Sequence, residues 1–173
     1  MKEKFIDYYM SIAELTSKLS YAKRLQVGAV IVRDTKILGT GYNGTPAGWD
    51  NNCEDKVWDT GSGGWLSPEE IEEQYPYEEY HPEAEQNVRY RLKTKPEVLH
   101  AESNALAKVA RSTESSENAI LFCTHAPCID CAKLIYQSGI KSVYYRDHYR
   151  NDDGLDFLKR GEINVHRYSK NGL

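Results

Sequence analysis

Apolar residues recur at intervals of three and four from residue 3 to residue 20, at Phe5, Ile6, Tyr9, Ile12, Ala13, Leu15, Thr16 and Leu19. That spacing predicts an amphipathic helix with one face on a core. The unbroken apolar run VGAVIV at 27–32 predicts a strand too hydrophobic for an exposed edge. Asp34 and Thr35 can turn the chain, and 37–42 returns as the partner of a hairpin. Past Pro96 the pattern switches repeatedly: a helix over 100–111, a strand over 119–124, a helix from Pro127 to Gly139, a strand over 141–145, a helix over 154–160 closed by Gly161, and a last strand at 163–168. Successive strands joined by helical crossovers run parallel, with helices against the sheet faces. The expected fold is therefore α/β: a three-layer α/β/α domain around a mixed five-stranded sheet, antiparallel in its front hairpin and parallel in its back strands.

Between these blocks the pattern breaks down. NGTPAG at 43–48 is a loop by composition, since glycine supplies unusual backbone angles and proline fixes a turn. GSGG at 61–64 and Pro68, Pro76, Pro82 and Pro96 follow. A short helix is expected at 67–75, where Ser67 can cap it and Pro68 suits its first position. The rest of 55–97 reads as a long loop or insertion within a single domain spanning 1–173. Its aromatic residues Trp58, Trp65, Tyr75, Tyr77 and Tyr80 argue that it packs against something.

Composition narrows the function classes. The 173 residues are 40% hydrophobic and 28% charged, the balance of a globular protein with its own core. No apolar run is long enough to cross a bilayer, and MKEKFIDYYM has no signal-peptide character. A cytoplasmic protein without a membrane partner is expected. The net charge of −4 disfavours a nucleic-acid partner. Much of that acidity is local, because 69–85 is glutamate-rich and holds no lysine or arginine. A small anionic ligand stays open if a few basic residues converge on it. The four cysteines include the pair Cys128 and Cys131, which points to metal or redox chemistry before a disulfide framework.

Two short segments carry the chemistry. His100-Ala101-Glu102 opens one helix, and Pro127-Cys128-Ile129-Asp130-Cys131 opens another. Cysteines three apart at a helix start share a face, and the helix dipole there favours thiolate. His100 would complete a set of two sulfurs and one nitrogen, which suits Zn²⁺ and leaves a fourth position for water. Glu102, two residues from that histidine, is the natural proton shuttle. A structural zinc would need a fourth ligand, for which Cys123, His125 and Cys53 can be proposed. A lone CxxC or HxE is a weak signal; the two together, each at a helix start, form the motif pair of zinc-dependent nucleobase deaminases.

On these motifs the chain resembles the cytidine/deoxycytidylate deaminase superfamily, and within it the deoxycytidylate (dCMP) deaminases of phages and eukaryotes. The likeness covers VGAVIV, GYNGTPAGWDNNC (41–53), HAESNAL (100–106), PCIDCAKLIYQSGIKSVYY (127–145) and DHYRNDDGLDFLKRGEINV (147–165). It implies hydrolysis of dCMP to dUMP and ammonia by zinc-activated water, with Glu102 passing protons and the Ala101 N–H meeting the base carbonyl. It further implies substrate contacts from Asn43, Arg24 and Tyr149, with Arg24 the first candidate for the phosphate; Arg146, His148 and Arg150 form a second basic cluster. The likeness also implies activation by dCTP with Mg²⁺, inhibition by dTTP, and a homo-oligomer, typically a hexamer. Its effector residues would be Asn43, Gly44, Gly48, Asp50 and Glu54, with Arg111 coupling them to the active site. One zinc per subunit is expected, because a second site would have only Cys53 and His81 to draw on. A cytoplasmic location follows, the host cytoplasm for a phage-borne chain. Two other readings stay open: a zinc deaminase of another cytosine nucleoside or base, and a non-catalytic zinc-stabilised binding module.

Overall fold

A computed structural model describes residues 1–61 and 65–170; the segment 62–64 of the GSGG stretch lies outside the described residues. Among the described residues five helices and eight strands follow one another in the order α1 (Glu3–Ser17), β1 (Gly28–Arg33), β2 (Lys36–Tyr42), β3 (Glu54–Trp58), α2 (Pro68–Gln74), β4 (Tyr77–His81), β5 (Gln86–Thr94), α3 (Ala101–Ala110), β6 (Ile120–His125), α4 (Ile129–Gln137), β7 (Ser142–Asp147), α5 (Asp153–Arg160) and β8 (Asn164–Arg167). The main sheet has the order β2-β1-β6-β7-β8. Strand β1 is antiparallel to both β2 and β6, while β6, β7 and β8 are parallel. Asp34 and Thr35, both at positive φ, make the two-residue turn of the front hairpin.

Alternation along the central strands separates two cores. Ala29, Ile31, Leu121, Cys123, Val143 and Tyr145 face α3, α4 and α5. Val30, Val32, Phe122 and Tyr144 face α1 through Tyr9, Met10 and Ala13. The three-layer α/β/α reading therefore holds. Helix α1 stops at Ser17, three residues earlier than its apolar pattern predicts, because Ser20 turns out to serve a loop: its Oγ accepts the Ala22 N–H and donates to the Asn43 carbonyl.

Segment 55–97 departs from the expected long loop. It forms a second, three-stranded antiparallel sheet of order β3-β5-β4. His81, Trp58, Tyr90 and Tyr77 form a row of ring contacts, edge-on, tilted and stacked in turn, and the Lys56 ammonium sits over Trp58 and Tyr90. Helix α2 matches its prediction. The Ser67 hydroxyl accepts the Glu70 N–H, the Glu70 carboxylate accepts the Ser67 N–H, and Pro68 opens the first turn.

Candidate active site

Strand polarity assembles the site. Because β1 runs antiparallel to its neighbours, its start lies beside the ends of β2 and β6, and parallel β7 ends there too. Residues just before β1 and just after β2, β6 and β7 thus converge on one edge, where open α/β sheets collect their ligands. A cleft of about 550 Å³, its open mouth included, lies there. It is lined by Arg24, Leu25, Val27, Asn43, Glu54, Thr94, Val98, His100, Ala101, Glu102, His125, Ala126, Cys128 and Tyr149.

Two close backbone approaches set the depth of its floor. Helix α3 lies so near β2 that a Cβ on Gly41 would stand 2.1 Å from the Ala101 carbonyl oxygen. Helix α5 presses on the loop before α4, where a Cβ on Gly154 would stand 2.0 Å from the Pro127 carbonyl oxygen. The stretch before α3 is pinned by a two-bond bridge between Gly44 and Leu99. His100 is the N-cap of α3 and Cys128 the N-cap of α4. The second helix therefore starts at Ile129, not at Pro127 as its sequence suggests. Both helix N-termini face the same point, where their dipoles favour anions.

At that point the ligand atoms of His100, Cys128 and Cys131 lie within 4.8 Å of one another. His100 Nδ1 is 3.5 Å from Cys128 Sγ and 3.3 Å from Cys131 Sγ. No fourth His, Cys, Asp or Glu joins the cluster among the described residues. Cys123 is buried in the core beneath, and His125 is turned toward Thr124 and Asp147. Cys53 packs with Ala22 and Val98, while the His81 ring meets Trp58 edge to face. A hydrogen bond from the Cys131 thiol holds Cys128 down to about 4, against burial and with help from His100. The same bond and burial push Cys131 far up. His100 is raised above its ordinary value, chiefly by Cys128. One thiolate, one thiol and one imidazole aimed at a common point fit a zinc ion that takes three protein ligands.

Glu102 is fully enclosed beside them. Burial pushes its carboxyl up to about 6, close to neutrality, where it can both accept and return a proton. Ala101, the first residue of α3, is buried at the cleft, and its N–H lacks an intrahelical acceptor.

The remaining predicted residues divide. Arg24, Asn43, Glu54 and Tyr149 line this cleft. Asn43 is engaged with the backbone, its Oδ1 accepting the Val27 N–H at 2.7 Å and its Nδ2 donating to the Leu25 carbonyl at 2.9 Å. Gly44 and Gly48 line a separate cleft with Tyr42, Asn104 and Lys108. Asp50 and Arg111 line neither; Asp50 accepts the Asn52 N–H, and Arg111 caps the exposed end of α3. The second basic cluster is engaged with other partners and does not line the cleft. Arg146 is paired with Glu14 and Asp147, His148 faces Asp152, and Arg150 packs on Tyr149. Sequence reasoning missed Thr94, because it lies on a strand that was read as loop. It also missed the packing roles of Gly41 and Gly154, which no local pattern reveals.

The family model for the cytidine and deoxycytidylate deaminase zinc-binding region matches residues 3–147. The chain belongs to the cytidine and deoxycytidylate deaminase family. It is a zinc-dependent deaminase acting on a cytosine-type nucleotide. The deaminase is 35% identical to the deoxycytidylate deaminase of Enterobacteria phage T4, over 95% of its own chain and 90% of that one. It is 38% identical to the apo dCMP deaminase of cyanophage S-TIM5, with a TM-score of 0.71, covering 97% of this chain and 100% of that one. Against the same cyanophage enzyme in complex with dCMP and dUMP, identity is 39% and the TM-score 0.73, covering 97% and 99%. No helix among the described residues is long and apolar enough to cross a membrane.

Proposed function

We propose that this deaminase hydrolyses dCMP to dUMP and ammonia. The observation that carries the reading is one cleft lined by Glu102, His100, Cys128 and, as its only arginine among the described residues, Arg24, with Cys131 within ligand reach of His100 and Cys128. Deamination of the base calls for the metal set and the proton carrier, and a 5′-phosphate calls for the arginine. The likeness to a cyanophage enzyme crystallised with dCMP and dUMP supports it.

His100, Cys128 and Cys131 would hold a zinc ion, which would supply Lewis-acid activation of water near neutral pH. Glu102 takes a proton from the water that attacks C4 and delivers it to N3; it then takes the second proton from the new C4 hydroxyl and gives it to the amino group, which leaves as ammonia as the C4–N bond breaks. The Ala101 N–H holds the base carbonyl from the start of α3. Asn43 shapes the sugar subsite by clamping residues 25 and 27, Tyr149 closes the outer wall, and Arg24 neutralises the phosphate. Regulation by dCTP with Mg²⁺ and by dTTP, assembly into a homo-oligomer such as a hexamer, and a cytoplasmic location belong to the same reading. Its support for an effector site is the second cleft, where Gly44 and Gly48 stand beside Lys108.

The test is ammonia release from dCMP, CMP and deoxycytidine by the zinc-loaded protein. Glu102→Gln is expected to lower kcat for dCMP by at least ~100-fold while zinc stays bound. Arg24→Ala is expected to erase the preference for dCMP over deoxycytidine. Absence of turnover with every cytosine nucleotide, at full zinc content, overturns the reading.

A further inference from the structure

Residues 20–27, which carry Arg24, have no helix or strand of their own. An arginine on such a stretch would be a wandering charge, and fixing it on binding would cost affinity. Here it is fixed beforehand from two sides. On one side Asn43 holds residues 25 and 27. On the other stand Glu54 and Thr94, which face each other as the first rung between β3 and β5. Glu54, 5% exposed, points a carboxylate oxygen at the loop and accepts the N–H of Lys23 and the N–H of Arg24, both at 3.1 Å. The Thr94 hydroxyl accepts from Arg24 Nη1 at 3.3 Å. Ala22, Cys53 and Val98 form a buried apolar seat at the base of the rung.

We infer that Glu54 and Thr94 are positioning residues that aim Arg24 into the cleft, so that the inserted sheet, through its first rung, sets the enzyme's grip on the substrate's 5′-phosphate. The inference rests on the reading of Arg24 as the phosphate ligand. It removes Glu54 from the effector set and gives the insertion a part in substrate selection. Glu54 holds the backbone and Thr94 the guanidinium, so the two act on successive parts of one side chain. The guanidinium keeps its remaining N–H groups for a phosphate.

Steady-state kinetics on the zinc-loaded protein, with deoxyuridine as a competitive inhibitor lacking phosphate, tests this. Thr94→Val, which exchanges a hydroxyl for a methyl, is expected to raise KM for dCMP by roughly five- to tenfold, in line with loss of one ordinary hydrogen bond. The kcat and the Ki of deoxyuridine should stay within about twofold, and Thr94→Ser should restore KM. Glu54→Ala should raise KM in the same selective way, and Glu54→Gln, which keeps an acceptor oxygen, should do so less. Zinc content and thermal melting check that each variant is folded, and Thr94→Val decides the matter if Glu54→Ala is not. In an Arg24→Ala background, Thr94→Val should add nothing. An unchanged KM in Thr94→Val, an equal loss for deoxyuridine, or additivity with Arg24→Ala overturns the positioning role. An unaltered KM in Arg24→Ala instead overturns the phosphate reading beneath it.

Discussion

Glu102 shows how function and stability compete at one side chain. Its carboxyl is enclosed and carries a pKa of about 6 in the zinc-free protein, above the ordinary carboxylate value, because burial disfavours its charged form. The folded state therefore holds this proton more tightly than the unfolded state does. The associated stability is fully present below the unfolded pKa and is lost as pH rises through about 6. At pH 7.5 the buried charge costs the zinc-free fold on the order of 2 kcal/mol. Glu102→Gln should thus raise the urea midpoint of zinc-free protein at pH 7.5 and leave it nearly unchanged at pH 4. Equal midpoints for the two proteins at pH 7.5 would show that the carboxylate is not strained there. The ligand triad and Glu102 were legible from two short motifs because their spacing is local: one ligand and the proposed shuttle share one helix start, and the two cysteines share the other. Asn43 was legible as a site residue, but its hydrogen bonds to residues 25 and 27 were not, since they join distant parts of the chain.

At the scale of elements, the helix starts depend on what lies behind them. Gly41 and Gly154 allow α3 and α5 to press against β2 and the Pro127–Cys128 segment, at distances no Cβ tolerates. Gly41→Ala and Gly154→Ala should each destabilise the protein by about 1–3 kcal/mol, which lowers Tm by several degrees at roughly 2–4 °C per kcal/mol. Gly48→Ala serves as the contrast, because nothing stands within 4 Å of its Cβ position and its penalty is only the strain of its positive φ. Differential scanning calorimetry gives the comparison; a Gly41→Ala penalty no larger than that of Gly48→Ala would refute the close-approach account. The five main strands and their helices were readable because each has a core to match. The insertion was not, although Val88, Tyr90, Leu92 and Thr94 alternate with Arg89, Arg91 and Lys93 as a strand should. Its strands are half exposed, and its prolines and glutamates mimic a loop.

Across the whole molecule, zinc ligands come from two helix starts on either side of β6. Metal at that junction ties α3 to α4, so its removal by a chelator should lower the global Tm, not merely silence the site. Cys131, whose pKa is raised, keeps its proton at neutral pH when zinc is absent, and binding must expel it. Affinity for zinc should accordingly rise with pH. Calorimetric titration at pH 7.5 in buffers of different ionisation enthalpy should report release of about one proton or more; a buffer-independent enthalpy would contradict that protonation state.

The rung that joins Glu54 to Thr94 brings the chain back to its point of departure. Everything between those two residues is topologically a graft: it leaves the domain and rejoins it at adjacent positions, at little cost in loop closure for the host fold. Such an appendage is free to lengthen, shrink or change its surface over generations without disturbing the zinc centre. The rung itself is not free, because it is where the graft touches Arg24. Variation is thus partitioned by geometry, open at the distal strand ends and closed at the base.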